Sequence, residues 1–308
     1  MAFSTSTLPA YVEQNRSKLI SAAVLAPKTA ALLTLMSGVK GATALNLLNV
    51  GVTFANGNAC GFSASGDDVL TQRTLTPGII KVNKSWCEEA LRAKYTVHEV
   101  ETGAGKETLA FEEKIIGDII AKVGAENEKA LWQGDKTNGV GNLAFYDGLA
   151  TLITADITGG SITLTTTAAA TDSVYARTRA VYALIPDEAL ATAVICMSYT
   201  NFRKLIMDLV DANLYHYERN IDANMEIILP GTNTRVCGLP GMVGLDRIYA
   251  FEPEQVVYGF DAPDDINTFR LWFSDDADEF RFKLKFAAGV QYAFPNRIVV
   301  GIPYGGGQ

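Results

Sequence analysis

Histidine is almost missing, with two residues in 308, and cysteine is scarce at four. The cysteines Cys60, Cys87, Cys196 and Cys237 lie far apart and form no C-x-x-C, which argues against a zinc knuckle or a disulfide scaffold and for reduced, structural thiols. His98 and His216 have no acidic or cysteine residues at metal-ligand spacing, so no metal site and no cofactor is expected. No run of about 18 uncharged apolar residues occurs, and the N-terminus lacks the basic start and apolar stretch of a signal peptide. The expectation is a chain that is soluble and intracellular when made, with no membrane partner. Positive charge is also short, at 26 basic residues against 34 acidic, a net of −8. That disfavours a tight, sequence-independent grip on nucleic acid, and no basic binding face is evident in the sequence.

The chain has 48% hydrophobic residues, 19% charged, 27 Gly and 10 Pro, a balance that builds a core and excludes disordered or collagen-like classes. Its length suggests roughly two domains burying about three quarters of the unfolded surface.

Residues 1 to about 50 begin polar and continue through an alanine-rich, apolar arm interrupted by Pro27, with no obvious partner inside itself. From Gly51 to about Ile80, turn-formers such as Asn56-Gly57-Asn58 and Ser65-Gly66-Asp67 separate short β-prone pieces, which reads as an extended loop or long hairpin. Ser85-Trp86-Cys87-Glu88 matches a capping box and predicts a short helix over about 86 to 94, followed by β alternation from Thr96 to Glu101. The clearest helix covers about 107 to 132, roughly 39 Å long at ~1.5 Å per residue. Its apolar face is Ile115, Ile116, Ile119, Ile120, Val123, Ala130 and Leu131, and Lys114, Asp118, Lys122 and Glu126 alternate in sign on the opposite face.

Over 151 to 171, low charge and the Gly159-Gly160 pair suggest a hairpin and then a linker. Beyond it, Asp172 is placed to cap a helix through Val174 to Leu184. Ala193 to Met197 reads as a buried strand, and Ser198 as the cap of a helix through Phe202, Leu205, Ile206 and Leu209. Met225 to Leu229 is a strand ended by Pro230-Gly231, and Leu239-Pro240-Gly241 is a turn. Near the C-terminus, Phe269 to Phe273, a turn at 274–278, and Phe280, Phe282, Leu284 and Phe286 alternating with Arg281, Lys283 and Lys285 predict a long antiparallel hairpin.

Chemistry-bearing patterns fail on inspection. Gly103-Ala104-Gly105-Lys106 approaches a phosphate loop, but Val100 stands where the first glycine belongs and Glu107 where Ser or Thr would hold magnesium. Gly61 to Gly66 is one residue away from a G-x-S-x-G elbow. Asp264-Asp265 and Asp275-Asp276-Ala277-Asp278 lack calcium-loop spacing. No catalytic, cofactor-binding or metal-binding residue is assigned, and the chain is read as no enzyme. A nucleotide-dependent enzyme built on Gly103 to Lys106 is the contrary reading, and absence of nucleotide binding would end it.

What is left is an order of parts: arm, two-stranded loop, amphipathic rod, compact α/β unit, strand-rich return. The first hundred or so residues hold little that forms a core alone, so their apolar side chains are expected to bury on other copies of the chain.

That order resembles the major capsid proteins of tailed bacteriophages, the HK97-like fold, across essentially the whole chain. The local matches are Leu131-Trp132-Gln133-Gly134-Asp135 with Asp147-Gly148-Leu149, Val194-Ile195-Cys196-Met197-Ser198 leading into Phe202-Arg203-Lys204-Leu205 and Asp211-Ala212, Val236-Cys237-Gly238-Leu239-Pro240, and the hairpin ending near Pro295. The resemblance implies an α+β fold with an N-terminal arm over 1–50, an extended E-loop over 51–106, and a peripheral domain over 107–172 whose spine helix is 107–132. It also implies an axial α/β domain over 173–264 and return strands over 265–308. The implied function is self-assembly, as pentamers and hexamers, into an icosahedral shell around packaged double-stranded DNA that is contacted non-specifically. Portal and possibly scaffolding or decoration proteins are the implied partners, and the place is the virion capsid, assembled in the host bacterial cytoplasm. An encapsulin-like nanocompartment shell is the alternative on the same fold.

Some members of that family fuse covalently between a loop lysine and a neighbour's asparagine. Here no lysine lies between Lys40 and Lys81, and Glu279 stands at the expected acceptor position, so a noncovalent shell is expected. Because the chain starts at Met1, scaffolding is expected to be a separate protein. Trp86 in the loop and Phe202 in the axial unit are candidate contact residues that could equally be core.

Overall fold

The computed structural model describes residues 7–49, 69–87, 89, 111–166, 173–213, 225–261 and 268–304. Two sheets organise these residues. The five-stranded sheet contains β1 (Thr34–Ser37), β4 (Gly78–Cys87), β10 (Val256–Asp261), β11 (Phe269–Ser274) and β12 (Glu279–Tyr292). The six-stranded sheet runs β5 (Thr163–Thr166), β13 (Val299–Ile302), β9 (Ile248–Phe251), β6 (Val194–Ser198), β8 (Arg235–Leu239), β7 (Glu226–Ile228). Apart from both, β2 (Thr43–Asn49) and β3 (Val69–Leu75) form an antiparallel ribbon in which Thr43 faces Leu75 and Asn49 faces Val69. Residues 50–68, at the far end of that ribbon, lie outside the described residues, as do the Gly61 to Gly66 pattern, Gly103 to Lys106, Asp264-Asp265, both histidines, Cys60 and the alternation at 96–101.

The C-terminal hairpin forms as its period-two pattern predicts. Phe280, Phe282, Leu284 and Phe286 are all buried, and Phe269 meets Phe282 edge-on at 5.4 Å between ring centres. The spine helix, α2 (Phe111–Gln133), has 23 residues, about 34 Å at ~1.5 Å rise. Ile116, Ile120, Ala130 and Leu131 are buried on it, and Lys114, Asp118, Lys122 and Glu126 are exposed. In the α/β unit, α4 (Val174–Ala183) and α5 (Tyr199–Asp211) flank β6, whose five residues are all buried. Ser198 caps α5 by accepting a hydrogen bond from the Asn201 amide. Replacing Ser198 with Ala strands that amide in a buried setting, and a loss of about 1 kcal/mol is expected in denaturant titration of the unassembled subunit. An unchanged midpoint would remove the cap from the account.

Four expectations are corrected. The arm does not wait for another copy: its residues 7–25 form α1 (Thr7–Leu25), and Val12, Ile20, Ala23 and Val24 are buried in the chain's own core with Ala30 and Leu33. The spacing of these residues puts one helix face against α2 and β11. Second, the capping-box helix does not begin at Trp86. Ser85, Trp86 and Cys87 complete β4, because ten backbone pairs with β12 outweigh a local cap; Glu89 is helical, and 90–94 lie outside the described residues. Third, the predicted hairpin over 151–171 is α3 (Leu149–Thr158) followed by β5, which pairs in parallel with β13. The apolar residues Leu149, Ala150 and Ile153 repeat at helical spacing, and Gly159-Gly160 ends a helix, with Gly160 at φ 73°. Fourth, α4 is capped by Ser173, whose hydroxyl accepts from the Ala176 amide, one residue after the expected Asp172.

Two segments join sheets that their sequence position does not suggest. Residues 163–166 enter the six-stranded sheet beside 299–302, and 256–261 enter the five-stranded sheet between β1 and β12. No helix among the described residues is long and apolar enough to cross a membrane.

Candidate functional site

The most constrained part of the molecule is a joint where the arm, the spine helix and the α/β unit meet. Three of the sequence matches converge here. At the end of α2, Gln133 donates through Nε2 to the carbonyls of Gly241 (2.7 Å) and Val243 (2.9 Å), which tethers the spine to the turn after β8. The Gly148 amide donates to the Gly134 carbonyl at 2.8 Å, and Asp147 accepts from the Lys136 amide. Asp135 accepts from the amides of Thr137 and Asn138, and those bonds hold its carboxyl below the usual range. A Cβ on Gly148 would press on the Ala130 carbonyl and the Gly134 amide, each at 2.7 Å, which is why the chain can cross itself here only through glycine.

Inside the joint lies a buried polar chain. The Trp132 indole Nε1 donates to Thr29 Oγ1 (2.9 Å), and Thr29 donates through both its hydroxyl (2.5 Å) and its amide (2.9 Å) to the Glu128 carboxylate. Burial pushes the Glu128 carboxyl above its usual value, although bonds from Thr29 and Gly241 and the charge of Lys28 pull the other way. Lys28 donates to the Gly238 carbonyl at 2.9 Å. At the preceding residue, Asn127 donates to the Tyr258 hydroxyl (2.8 Å) and accepts from Tyr146 (3.1 Å). Asn127 and Glu128 sit within a helix whose apolar periodicity gave no sign of them, and only their pairing with Thr29 and Tyr258, distant in sequence, explains their burial.

A second fixed point sits at the ribbon base. Arg73 on β3 pairs with Asp156 on α3 at 2.7 Å and lies 4.3 Å over the Tyr292 ring, while Tyr292 also hydrogen-bonds Asp156. Leu75 is fully buried, and Gln291 donates to the Thr74 carbonyl. The ribbon is therefore clamped at its root, and among the described residues its two strands pair with each other and with no further strand.

Among the described residues no three His, Cys, Asp or Glu side chains gather to hold a metal. Asp275, Asp276 and Asp278 form the turn between β11 and β12. Cys196 and Cys237 face each other in register on β6 and β8, free and buried; burial raises the first thiol and pushes the second up to about 12. Phe202 is core, at 1% exposure, and Trp86 is half-buried against the core cluster. A cleft of about 560 Å³ between α2 and β4 is walled by Ile80, Val82, Ile119 and Val123. Apolar side chains do stand free on the α/β unit, with Met207 of α5 at 60% exposure and Ile228 of the edge strand β7 at 57%. The five-stranded sheet also has what the sequence did not show, a basic face: Lys81, Arg270, Arg281, Lys283 and Lys285 lie together on its side away from the core.

By sequence the chain matches no protein-family model and no curated protein. By structure it matches shells. A chain of the satellite phage P4 procapsid superposes with a TM-score of 0.61 at 10% identity, over 93% of this chain and 90% of that one. The capsid of the native GTA particle gives 0.55 at 12% identity over 91% and 90%. The virus-like particle from Pyrococcus furiosus gives 0.51 at 12% identity over 95% and 99%. With more than nine tenths of its length matched in each of these superpositions, the fold of this chain is the HK97-like α+β fold found in phage capsids.

Proposed function

We propose that the chain is the major capsid protein of a tailed phage, assembling as pentamers and hexamers into an icosahedral shell around packaged double-stranded DNA. The observation that carries the reading is the end-to-end match to chains of several particle shells, with about nine tenths of each chain covered. The geometry supports it. Among the described residues the ribbon is clamped at its root and leaves two backbone edges without a further strand, and such edges are stable when another subunit covers them. A shell closed by symmetry supplies that cover for every copy. In this reading residues 1–50 are the arm, 51–106 the extended loop, 107–172 the peripheral domain, 173–264 the axial domain and 265–308 the return strands. The chain acts as no enzyme; its partners are other copies, a portal, scaffolding or decoration proteins where the particle uses them, and DNA held non-specifically within the virion. Assembly takes place in the bacterial cytoplasm.

Electron microscopy of the purified protein tests this directly. Uniform polyhedral particles are expected, and a protein that stays single and monodisperse at high concentration would overturn it. The likeness to the Pyrococcus furiosus particle keeps an encapsulin-like compartment as the second reading, and the contents of particles from the native source, genome or cargo enzyme, separate the two.

A noncovalent shell is also expected. Glu279 opens β12 and lies 3.8 Å from Arg281, offering a carboxylate where cross-linking would need an amide. Particles heated in detergent should run as one band near 33 kDa, and a ladder of multimers would contradict this.

A further inference from the structure

The basic face of the five-stranded sheet is built from register. Residues directly opposite in antiparallel strands point the same way, and β12 pairs Lys285 with Lys81 and Lys283 with Arg270. Arg281 lies opposite Trp272 on the same face, and the Arg270 guanidinium sits 5.2 Å from the Trp272 ring centre. The intervening residues Phe280, Phe282, Leu284 and Phe286 turn into the core, which fixes the five cations outward. Lys81, Arg270 and Lys285 are exposed, and among the described residues the register puts two acids at the ends of this stretch, Glu279 beside Arg281 and Asp261 opposite Ala287, with none between them.

Two like-charged pairs set directly opposite each other weaken a sheet. A chain of net −8 would relieve them easily by placing an acid in one of these positions, and it does not. Five of its 26 basic residues are spent on this one face, which holds two of the 34 acidic residues, leaving 21 basic against 32 acidic residues elsewhere. The arrangement is explained by an anionic group that arrives from outside. The same hairpin ends in one: Asp275, Asp276 and Asp278 are all exposed at the tip between β11 and β12. Tip and stem cannot meet within one chain, because the paired strands hold Asp278 about 17 Å from Lys283 at ~3.4 Å per residue. A hairpin with an acidic tip and a basic stem is complementary to another copy of itself placed head to tail, and a head-to-tail contact that repeats by rotation closes into a ring.

We propose that this sheet face is a contact between copies, in which the acidic tip 275–278 of one subunit seats on the basic stem of the next. Duplex DNA is the competing anion, and it is disfavoured by the chain's overall negative charge and by the presence of a matching acid on the same hairpin.

The proposal rests on the shell reading, and a charge-swap series on the full chain separates the two. Wild type, Lys283→Glu/Lys285→Glu, Asp275→Lys/Asp276→Lys and the combined four-fold variant are compared for particle yield by sedimentation and microscopy. Each reversal alone is expected to cut yield by about tenfold or more, and the combination, which restores opposite charges across the contact, to recover to within about threefold of wild type. The thermal midpoint of unassembled Lys283→Glu/Lys285→Glu subunits should hold or rise, since the like-charged pairs are gone. Wild-type assembly that is indifferent to the reversals overturns the contact alone. Loss without rescue, together with duplex binding by wild type that Lys283→Glu/Lys285→Glu abolishes, reassigns the face to nucleic acid. A wild type that never assembles sinks the shell reading and the contact with it.

Discussion

Replacing Trp132 with Ala is expected to destabilise the unassembled subunit by about 3–5 kcal/mol, the usual cost of deleting a fully buried large aromatic. For a chain of this length that corresponds to a fall of roughly 5–10 °C in thermal midpoint. Trp132 has no exposure, its ring centre lies 5.4 Å from that of Tyr249 and 6.2 Å from that of Phe251, and its indole N–H ends the polar chain through Thr29 to Glu128. The cavity would open where the spine helix meets both the arm and the six-stranded sheet, surfaces tied together by the bonds of Gln133 and Lys28 to the Gly241 and Gly238 carbonyls, so little collapse can refill it. Trp132→Phe separates packing from hydrogen bonding. It keeps the six-membered ring and loses the pyrrole part together with the bond to Thr29, whose hydroxyl still donates to Glu128, and about 1–3 kcal/mol is expected, less than for Ala. Calorimetry of the two variants checks both numbers, and equal losses would show that the indole bond, not the volume, governs the joint.

This joint was partly written in the sequence. The runs around Trp132, Gly148 and Gly238 are among those that carried the resemblance, and the structure shows why they keep company: each contributes a backbone group or a ring to one crossing point. The hairpin and the spine helix were legible because one face of each is buried and the other wet, so period and burial agree. The arm helix was not. Its buried positions are interrupted by Asn15, Arg16 and Lys18, and only the presence of α2 and β11 makes Val12, Ile20 and Val24 a face. The same limit hid α3, where threonine and isoleucine suggest strand until Leu149 and Ile153 find a core to enter. It hid β4 too, where a capping box gave way to a ladder with a strand nearly two hundred residues later. The basic face was invisible for a different reason. Alternation revealed that Arg281, Lys283 and Lys285 share a side, but cross-strand register alone brings Lys81 and Arg270 to join them.

Glu128 supplies the other large expected effect, and its sign follows from burial. The folded state raises the carboxyl's proton affinity above the ordinary value of 4.5, so the native chain binds a proton more readily than the unfolded chain. Stability from this group is then fully present below about pH 4.5, and it is lost as the pH rises through the folded-state pKa. Glu128→Gln removes the titration while keeping the shape, so the stability difference between wild type and Glu128→Gln should move in favour of wild type as the pH is lowered from neutral toward 4.5. Other carboxylates, Asp135 among them, titrate alike in both proteins and cancel in that difference. Removing the acceptor altogether is a separate matter. In Glu128→Ala the buried Thr29 amide loses its partner, and a loss of about 1–3 kcal/mol is expected at every pH. Because Thr29 belongs to the arm, the same variant should expose residues 7–30 to protease sooner than Glu128→Gln does. A pH-independent difference between wild type and Glu128→Gln would mean that the carboxyl is not desolvated by the arm. The docking of α1 onto the spine would then rest on its apolar face alone.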